Sequence, residues 1–200
     1  MPNLSLFPEI EVFESAAPGK TLETVAGLVY CPHFIEEPEE TALLRAVDLE
    51  PWSYQWQRRT QYYGERYVPR SSLVDQARAM PAWSRSVCQR LVEAGMMDRL
   101  PNQIGINEYL PGQGIAPHID HMGGTVVSLS LGSDCVMEFT RAGSAYAYPL
   151  LLERRSAVVL QGDARDMWKH GISKRKTDFI DGRAFKRARR VSITFRDVMP

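Results

Sequence analysis

"RRVSITFR", residues 189–196, is the stretch whose reading decides the fold. Val191, Ile193 and Phe195 alternate with Ser192 and Thr194, and residues two apart in a β-strand project from the same face. One face is therefore apolar and packs against another layer. The other carries hydroxyls bracketed by Arg190 and Arg196, which share it because six is an even spacing. Two guanidinium groups pointing into a barrel are costly unless a dianion receives them, and the planar fork of arginine meets carboxylates bidentately. The same spacing also suits a sheet edge with both arginines in water.

The pattern continues outward from this strand. In "TVVSLSLG" (125–132), Val127, Leu129 and Leu131 oppose Ser128 and Ser130. "QIGINEYL", "CVMEF", "AYAYPLLL" and "SAVVLQG" are short, rich in β-branched and aromatic residues, and divided by Gly, Pro or charged turns. Upstream, "EEPEETALLRAVDLE" reads as a helix with acids crowding its first turn and Leu43, Leu44, Ala46 and Val47 on an apolar face. "MPAWSRSVCQRLVEAGMM" reads as a second, with Pro81 near its start and Gly95 as a stop. No βαβ rhythm appears. The prediction is one domain over 1–200, mainly β with flanking helices: an α/β lead-in over 1–100 and a sandwich or jelly-roll core over 101–200.

Composition narrows the class. Two hundred residues suffice for a real core, and no apolar run reaches the roughly eighteen residues of a membrane-spanning helix. The acidic start "MPNLSLFPEIEVFE" lacks the features of a secretory signal. Cys31, Cys88 and Cys135 are odd in number and widely spaced, which suits free thiols in a reducing cytoplasm. The net charge is zero but uneven: residues 1–50 hold ten acids against two bases, and Arg154 to Arg196 hold thirteen bases against four acids. That asymmetry permits a nucleic-acid partner and equally describes a solvated basic face.

The chemistry-bearing motif is "IAPHIDHMGG" (115–124). His-x-Asp is a cheap pattern; four histidines and ten aspartates give a chance match roughly once in five such chains. In a strand, however, His118 and Asp120 would both reach one ion. An imidazole and a carboxylate need a third ligand, and the completed set suits Fe(II) with positions open for substrate and dioxygen. His33 lies in the helical half, whereas His170, in "MWKHGI", lies in a strand-like segment of the β half and is taken as the third ligand. His121 has the wrong parity and should face elsewhere, and Gly123 and Gly124 form the following turn.

Taken in order, "NEYLPGQGIAPHID", "SLSLGS", "WKHGI" and "RRVSITFR" resemble the AlkB family of Fe(II)- and 2-oxoglutarate-dependent dioxygenases, closely over the last hundred residues and more weakly in "RRTQYYGERY". The resemblance implies a double-stranded β-helix, that is, a jelly roll. It implies that His118, Asp120 and His170 hold the iron, that Arg190, Tyr109 and Ser192 grip the distal carboxylate of 2-oxoglutarate, and that Arg196 and Asn107 lie near its chelating end. It also implies the reaction: with dioxygen, 2-oxoglutarate is decarboxylated to succinate while a nearby C–H bond is hydroxylated, and a hydroxylated N-methyl group falls apart to formaldehyde and free nitrogen.

For substrate, "PWSYQWQRRTQYYGERYVPR" (51–70) interleaves Trp52, Tyr54, Trp56, Tyr62, Tyr63 and Tyr67 with Arg58, Arg59, Arg66 and Arg70. Rings that stack bases beside cations that meet phosphates suit single-stranded or flipped-out nucleotides; a hairpin with buried rings and solvated arginines would read the same way. In the family this region is a lid over the base, which assigns Arg58, Arg59, Tyr62 and Tyr63 to substrate. "KRKTDFIDGRAFKRARR" adds flexible positive charge for a phosphate backbone. The bacterial founder has an acid where this chain has Met122, and Asn where it has Ser192. In both the sequence looks closer to members resembling the oxygenase domain of the animal tRNA-modifying homologue, which share "RR-x-Q" and "SLSLGS". The expected partner is alkylated or modified single-stranded DNA, RNA or tRNA, met by a cytoplasmic monomer that repairs or edits it. A protein demethylase and a metal-free jelly-roll binding module are the other classes.

Overall fold

A computed structural model describes residues 20–22, 24–54, 57–65, 78–120, 124–144 and 146–198. In chain order its elements are β1 (Lys20–Thr21), β2 (Leu28–Cys31), α1 (Glu37–Leu49), β3 (Thr60–Gly64), α2 (Arg85–Glu93), β4 (Gln103–Tyr109), β5 (Ile115–His118), β6 (Val126–Leu131), β7 (Cys135–Arg141), β8 (Ala147–Leu152), β9 (Ala157–Leu160), α3 (Gly162–Asp166), β10 (Trp168–Ile172), β11 (Thr177–Ile180), β12 (Arg183–Lys186) and β13 (Arg190–Arg196). No helix among the described residues is long and apolar enough to cross a membrane.

Among the described residues the strands form an antiparallel major sheet ordered β1-β2-β9-β6-β13-β4-β3 and an antiparallel minor sheet ordered β5-β10-β7-β8, with β11 and β12 as a separate hairpin. From β4 onward the chain passes repeatedly between the two sheets, the topology of a jelly roll. The lead-in is not a separate layer. Its strands β2 and β3 extend the major sheet by pairing with β9 and β4.

Two apolar layers follow from strand alternation. On the outer side of the major sheet, Ile104, Ile106, Leu129, Ile193 and Phe195 pack under Leu43, Val47, Val87 and Leu91 of the helices. Between the sheets, Leu28, Val126, Val158 and Leu160 meet Met137, Phe139, Leu150, Leu152 and Ile172. A 3-10 turn at Ala82–Ser84 leads from Pro81 into α2, and Gly95 takes the left-handed conformation (φ 66°) that closes it. The acids of α1 do more than suit its dipole. Glu39 and Glu40 are buried; Glu39 pairs with Arg90 on α2, while Glu40 accepts from Arg154 and from the Gly132 backbone at the end of β6.

β13 lies between β4 and β6, so its apolar face meets the helices and its polar face turns into the sandwich. Arg190 and Arg196 are thus not at a solvated sheet edge. Because Phe195 is fully buried on the opposite face, Phe195→Ala is expected to cost about 3–5 kcal/mol. Urea unfolding should show this as a lower midpoint with an unchanged slope.

Candidate active site

The two histidines meet because β5 and β10 are neighbours with His118 opposite His170, ring centroids 4.5 Å apart. The register between them is irregular: the next pair is Ile115 with Ile172, three residues on β5 against two on β10, a bulge that re-aims His118. The strand ends at His118, so Asp120 follows in irregular backbone instead of extending the alternation. Convergence therefore comes from the bulge and the strand end, not from simple parity. Asp120 Oδ1 lies 3.7 Å from His118 Nε2, and its Oδ2 lies 3.9 Å from His170 Nε2. One ligand atom from each of the three falls within 4.8 Å of the others, and no other such group occurs among the described residues. His33, by contrast, sits in an exposed turn after β2.

The surroundings prepare these groups for a cation. His118 Nδ1 is 2.9 Å from the Ala116 carbonyl; donating there leaves the Nε2 lone pair facing Asp120. The Asp120 carboxylate raises His118 above its ordinary value, against the opposing effect of burial. Burial lowers His170 to about 4, so it is neutral near pH 7. Burial also works against the charge of Asp120, but His118, Arg196 and His170 outweigh it and hold the carboxyl well below the usual carboxylate range. Two imidazoles and an ionised carboxylate are the donor set that suits Fe(II).

The major sheet supplies the other half. Register places Arg190 opposite Tyr109, Ser192 opposite Asn107 and Ser130, and Arg196 opposite Gln103, all on the inward face. Arg190 is 2% exposed, with its guanidinium 5.4 Å from the Tyr109 ring centroid and one Nη donating to Ser130 Oγ at 2.8 Å. Its Nε is buried without a partner, and no carboxylate pairs with it among the described residues. A cation desolvated in this way calls for an anion, and the distal carboxylate of 2-oxoglutarate fits the need. Ser192 Oγ lies 2.7 Å from Ser128 Oγ. Arg196 donates to Asp120 Oδ1 at 3.2 Å and thereby ties the cationic strand to the group that could hold a metal. Asn107 Oδ1 accepts from Arg58 Nε at 2.9 Å.

Three contributors were not singled out from sequence. Ser128 and Ser130 could have been, since the alternation in "SLSLG" puts both on the polar face. Gly105 could not. A Cβ there would stand 3.2 Å from Arg196 Nη1 and 3.4 Å from the Tyr62 ring, so glycine lets both side chains close over β4.

The four residues assigned to substrate divide. Tyr62, opposite Gly105, is on the inward-facing side of β3 and 53% exposed. Tyr63 must face the other way, and it does: it is buried in the helix-side core, and its hydroxyl donates to Gln61. Arg59 makes a two-bond pair with Glu108 at 2.5 and 2.7 Å and lies 4.6 Å over the Trp52 ring. Tyr63 is therefore a packing element, a correction to its assignment, and Arg59 is held between Glu108 and Trp52. Trp56, Arg66, Tyr67 and Arg70 lie outside the described residues, as do His121, Met122 and Gly123. The basic stretch after His170 is also revised. It folds as the β11–β12 hairpin, with Arg175 and Arg187 paired to Asp178 and Arg189 to Glu108 and Asp48, leaving Lys174, Lys176, Arg183 and Lys186 exposed.

Comparison with known proteins places this geometry. Residues 45–196 match the family model of the 2OG-Fe(II) oxygenase superfamily. The chain is 32% identical to a protein of Acanthamoeba polyphaga mimivirus, covering 90% of this chain and 89% of that one. It is 30% identical to the probable RNA/DNA demethylase ALKBH6 of Danio rerio, over 84% of each. Against the tRNA (carboxymethyluridine(34)-5-O)-methyltransferase of Xenopus tropicalis it is 30% identical over 86% of its own length but 32% of that protein, so it spans about a third of that relative. The solved structure of OsALKBH1 shares the fold, with a TM-score of 0.68 at 18% identity, covering 90% of this chain and all of that one.

The two histidines also make an acid-stability prediction for the metal-free protein. Folding depresses the pKa of His170 from 6.5 to about 4, so its contribution is full above pH 6.5 and is lost as pH falls toward 4. The raised pKa of His118 acts oppositely: its contribution is full below pH 6.5 and fades as pH rises through its folded value. Urea unfolding between pH 6.5 and 4 should therefore show a loss of up to about 3 kcal/mol that His170→Asn largely abolishes.

Proposed function

Because the chain belongs to the AlkB family of 2OG-Fe(II) oxygenases, we propose that it removes N-alkyl groups from modified bases in nucleic acid by oxidation. It is a dioxygenase that uses Fe(II), 2-oxoglutarate and O2. Bound together, these supply a two-electron oxidation: 2-oxoglutarate is decarboxylated to succinate, and one oxygen atom enters a substrate C–H bond. Hydroxylation of an N-methyl group leaves a hydroxymethyl that breaks its C–N bond, giving formaldehyde and the restored N–H.

In this reading His118, Asp120 and His170 hold the iron. Arg190 receives the distal carboxylate of 2-oxoglutarate, with the Tyr109 and Ser192 hydroxyls beside it. Arg196 and Asn107 serve its other end, Arg196 at the same time steadying Asp120. The minor sheet behind the histidines, with Phe139 6.2 Å from the His170 ring, keeps water from that side. The observation that carries the nucleic-acid reading is Tyr62. It presents an exposed aromatic ring next to Gly105, on the other side of which Arg196 reaches Asp120. A planar base stacked there would bring its alkyl group toward the metal ligands.

A second reading, oxidation of a modified tRNA base, is favoured by one finding. The similarity to the vertebrate tRNA methyltransferases, 30–33% identity, covers 86% of this chain. Incubation with methylated single-stranded DNA, duplex DNA and bulk tRNA, followed by nucleoside mass spectrometry, separates the two. Loss of methyl bases from DNA with release of formaldehyde is expected for the first, and a hydroxylated or demethylated tRNA nucleoside alone for the second; unchanged nucleosides in all three would remove both. Anaerobic Fe(II) with 2-oxoglutarate should give a weak visible metal-to-ligand charge-transfer band, absent from His118→Ala and His170→Ala.

A further inference from the structure

Arg58 occupies a place that does not match a residue waiting for a phosphate. Its Nε donates to Asn107 Oδ1 at 2.9 Å, and its guanidinium carbon is 5.8 Å from the centroid of the Tyr109 ring. The guanidinium of Arg190 lies 5.4 Å from that same ring. Two cations thus share one buried phenol, and among the described residues neither has a carboxylate partner. Like charges gathered around one low-dielectric ring repel, and a dianion entering beside them relieves the repulsion.

The backbone next to Arg58 is anchored rather than free. The Gln57 carbonyl accepts from Gln113 Nε2 at 2.7 Å, and Gln57 Oε1 accepts from Lys174 Nζ at 3.1 Å. Gln113 is itself fixed, its Oε1 accepting from the Leu110 backbone at 2.8 Å and its carbonyl from Arg187 at 3.3 Å. These bonds join the start of the 57–65 segment to the turn after β4 and to the chain after β10.

We propose that Arg58 is a positioning residue of the 2-oxoglutarate pocket: it closes that pocket over Asn107 and Tyr109, and so couples the segment carrying Tyr62 to cosubstrate binding. The proposal rests on the oxygenase reading above. It reassigns Arg58, which sequence pairs with nucleic acid, to the small-molecule end of the site. Arg58 acts through Asn107 and Tyr109 by fixing the amide's orientation and holding the phenol against Arg190. The exposed Tyr62 is left to face the base. Since Tyr62 follows Arg58 by four residues, cosubstrate bound beneath Arg58 steadies the approach to the strand that presents the ring.

The test titrates 2-oxoglutarate into the anaerobic Fe(II) protein and follows the charge-transfer band, with fluorescence anisotropy of a labelled single-stranded oligonucleotide measured separately without 2-oxoglutarate. Arg58→Ala should raise the 2-oxoglutarate Kd about threefold to tenfold, the scale of one cation–π contact and one hydrogen bond. Fe(II) and oligonucleotide affinities should stay at the wild-type values. Arg58→Lys keeps the charge without the planar fork and should restore only part of the loss; if Arg58→Ala does not fold, Arg58→Lys alone should still bind 2-oxoglutarate more weakly. Combined with Asn107→Ala, Arg58→Ala should add less than its separate effect. Unchanged 2-oxoglutarate affinity in both Arg58 variants, with or without weaker oligonucleotide binding, overturns the proposal. A wild-type protein without the band would instead remove the oxygenase reading, so the two failures are distinguishable.

Discussion

Arg190 stands inside a β-sandwich with one hydroxyl partner, one aromatic neighbour and no carboxylate among the described residues. Removing a guanidinium from water without an anion costs several kcal/mol, so a fold that keeps one there must hold its surroundings in place. The surroundings do so through β13. Flanked on both sides by hydrogen-bonded strands, it has its register set by β4 and β6 together. Its other face is anchored by Val191, Ile193 and Phe195 under the helices. A one-residue slip would carry the arginines into the helix-side core and the apolar residues into the site. Stability and site geometry therefore depend on the same alternation.

The two sheets divide the chemistry. The minor sheet provides His118 and His170, and the major sheet provides the cations and hydroxyls. Asp120 joins them, because Arg196 reaches across to it from the end of β13. Glu108 performs the corresponding task on the helix side of β4, where it binds Arg59 and Arg189 while Arg189 also holds Asp48 of α1. Thus Asn107 and Tyr109 face the site, and the carboxylate between them secures the strand to the helical layer.

Much of this was legible in the sequence wherever the strand period alone decides orientation. The faces of β6 and β13 follow from letters two apart, which put Arg190, Ser192 and Arg196 on one side, whereas their union with Asn107 and Tyr109 came from the family resemblance. Legibility stopped where orientation depends on a partner strand. The bulge opposite His170 and the end of β5 at His118 are properties of a pairing, and no local pattern announces them. The same limit explains the aromatic–arginine stretch. The family resemblance grouped Arg58, Arg59, Tyr62 and Tyr63 as one nucleotide surface, whereas β3 is a paired strand that sends Tyr62 inward and Tyr63 under the helices. Arg59 is drawn away by Glu108, a residue of the adjacent strand whose partner the sequence does not name. The basic hairpin diverged for a related reason: Asp178 is one of two acids among many bases, yet once buried it binds both Arg175 and Arg187.

Asp120 connects these strands of reasoning, since its two oxygens have different neighbours. Oδ1 faces His118 and accepts from Arg196, whereas Oδ2 faces His170. An unpaired carboxylate this buried would rise toward protonation, but the adjacent cation and imidazoles keep it ionised. A proton on Asp120 would occupy an oxygen that could hold a metal and weaken the charge-assisted bond from Arg196. His118 first and Arg196 with it keep that proton off, and the bond from Arg196 links the sheets. Gly105 belongs to the same device: a side chain on β4 at that position would crowd Arg196 and the Tyr62 ring. Glycine at 105 therefore leaves Arg196 room beside the Tyr62 ring as it reaches the carboxylate between the two histidines.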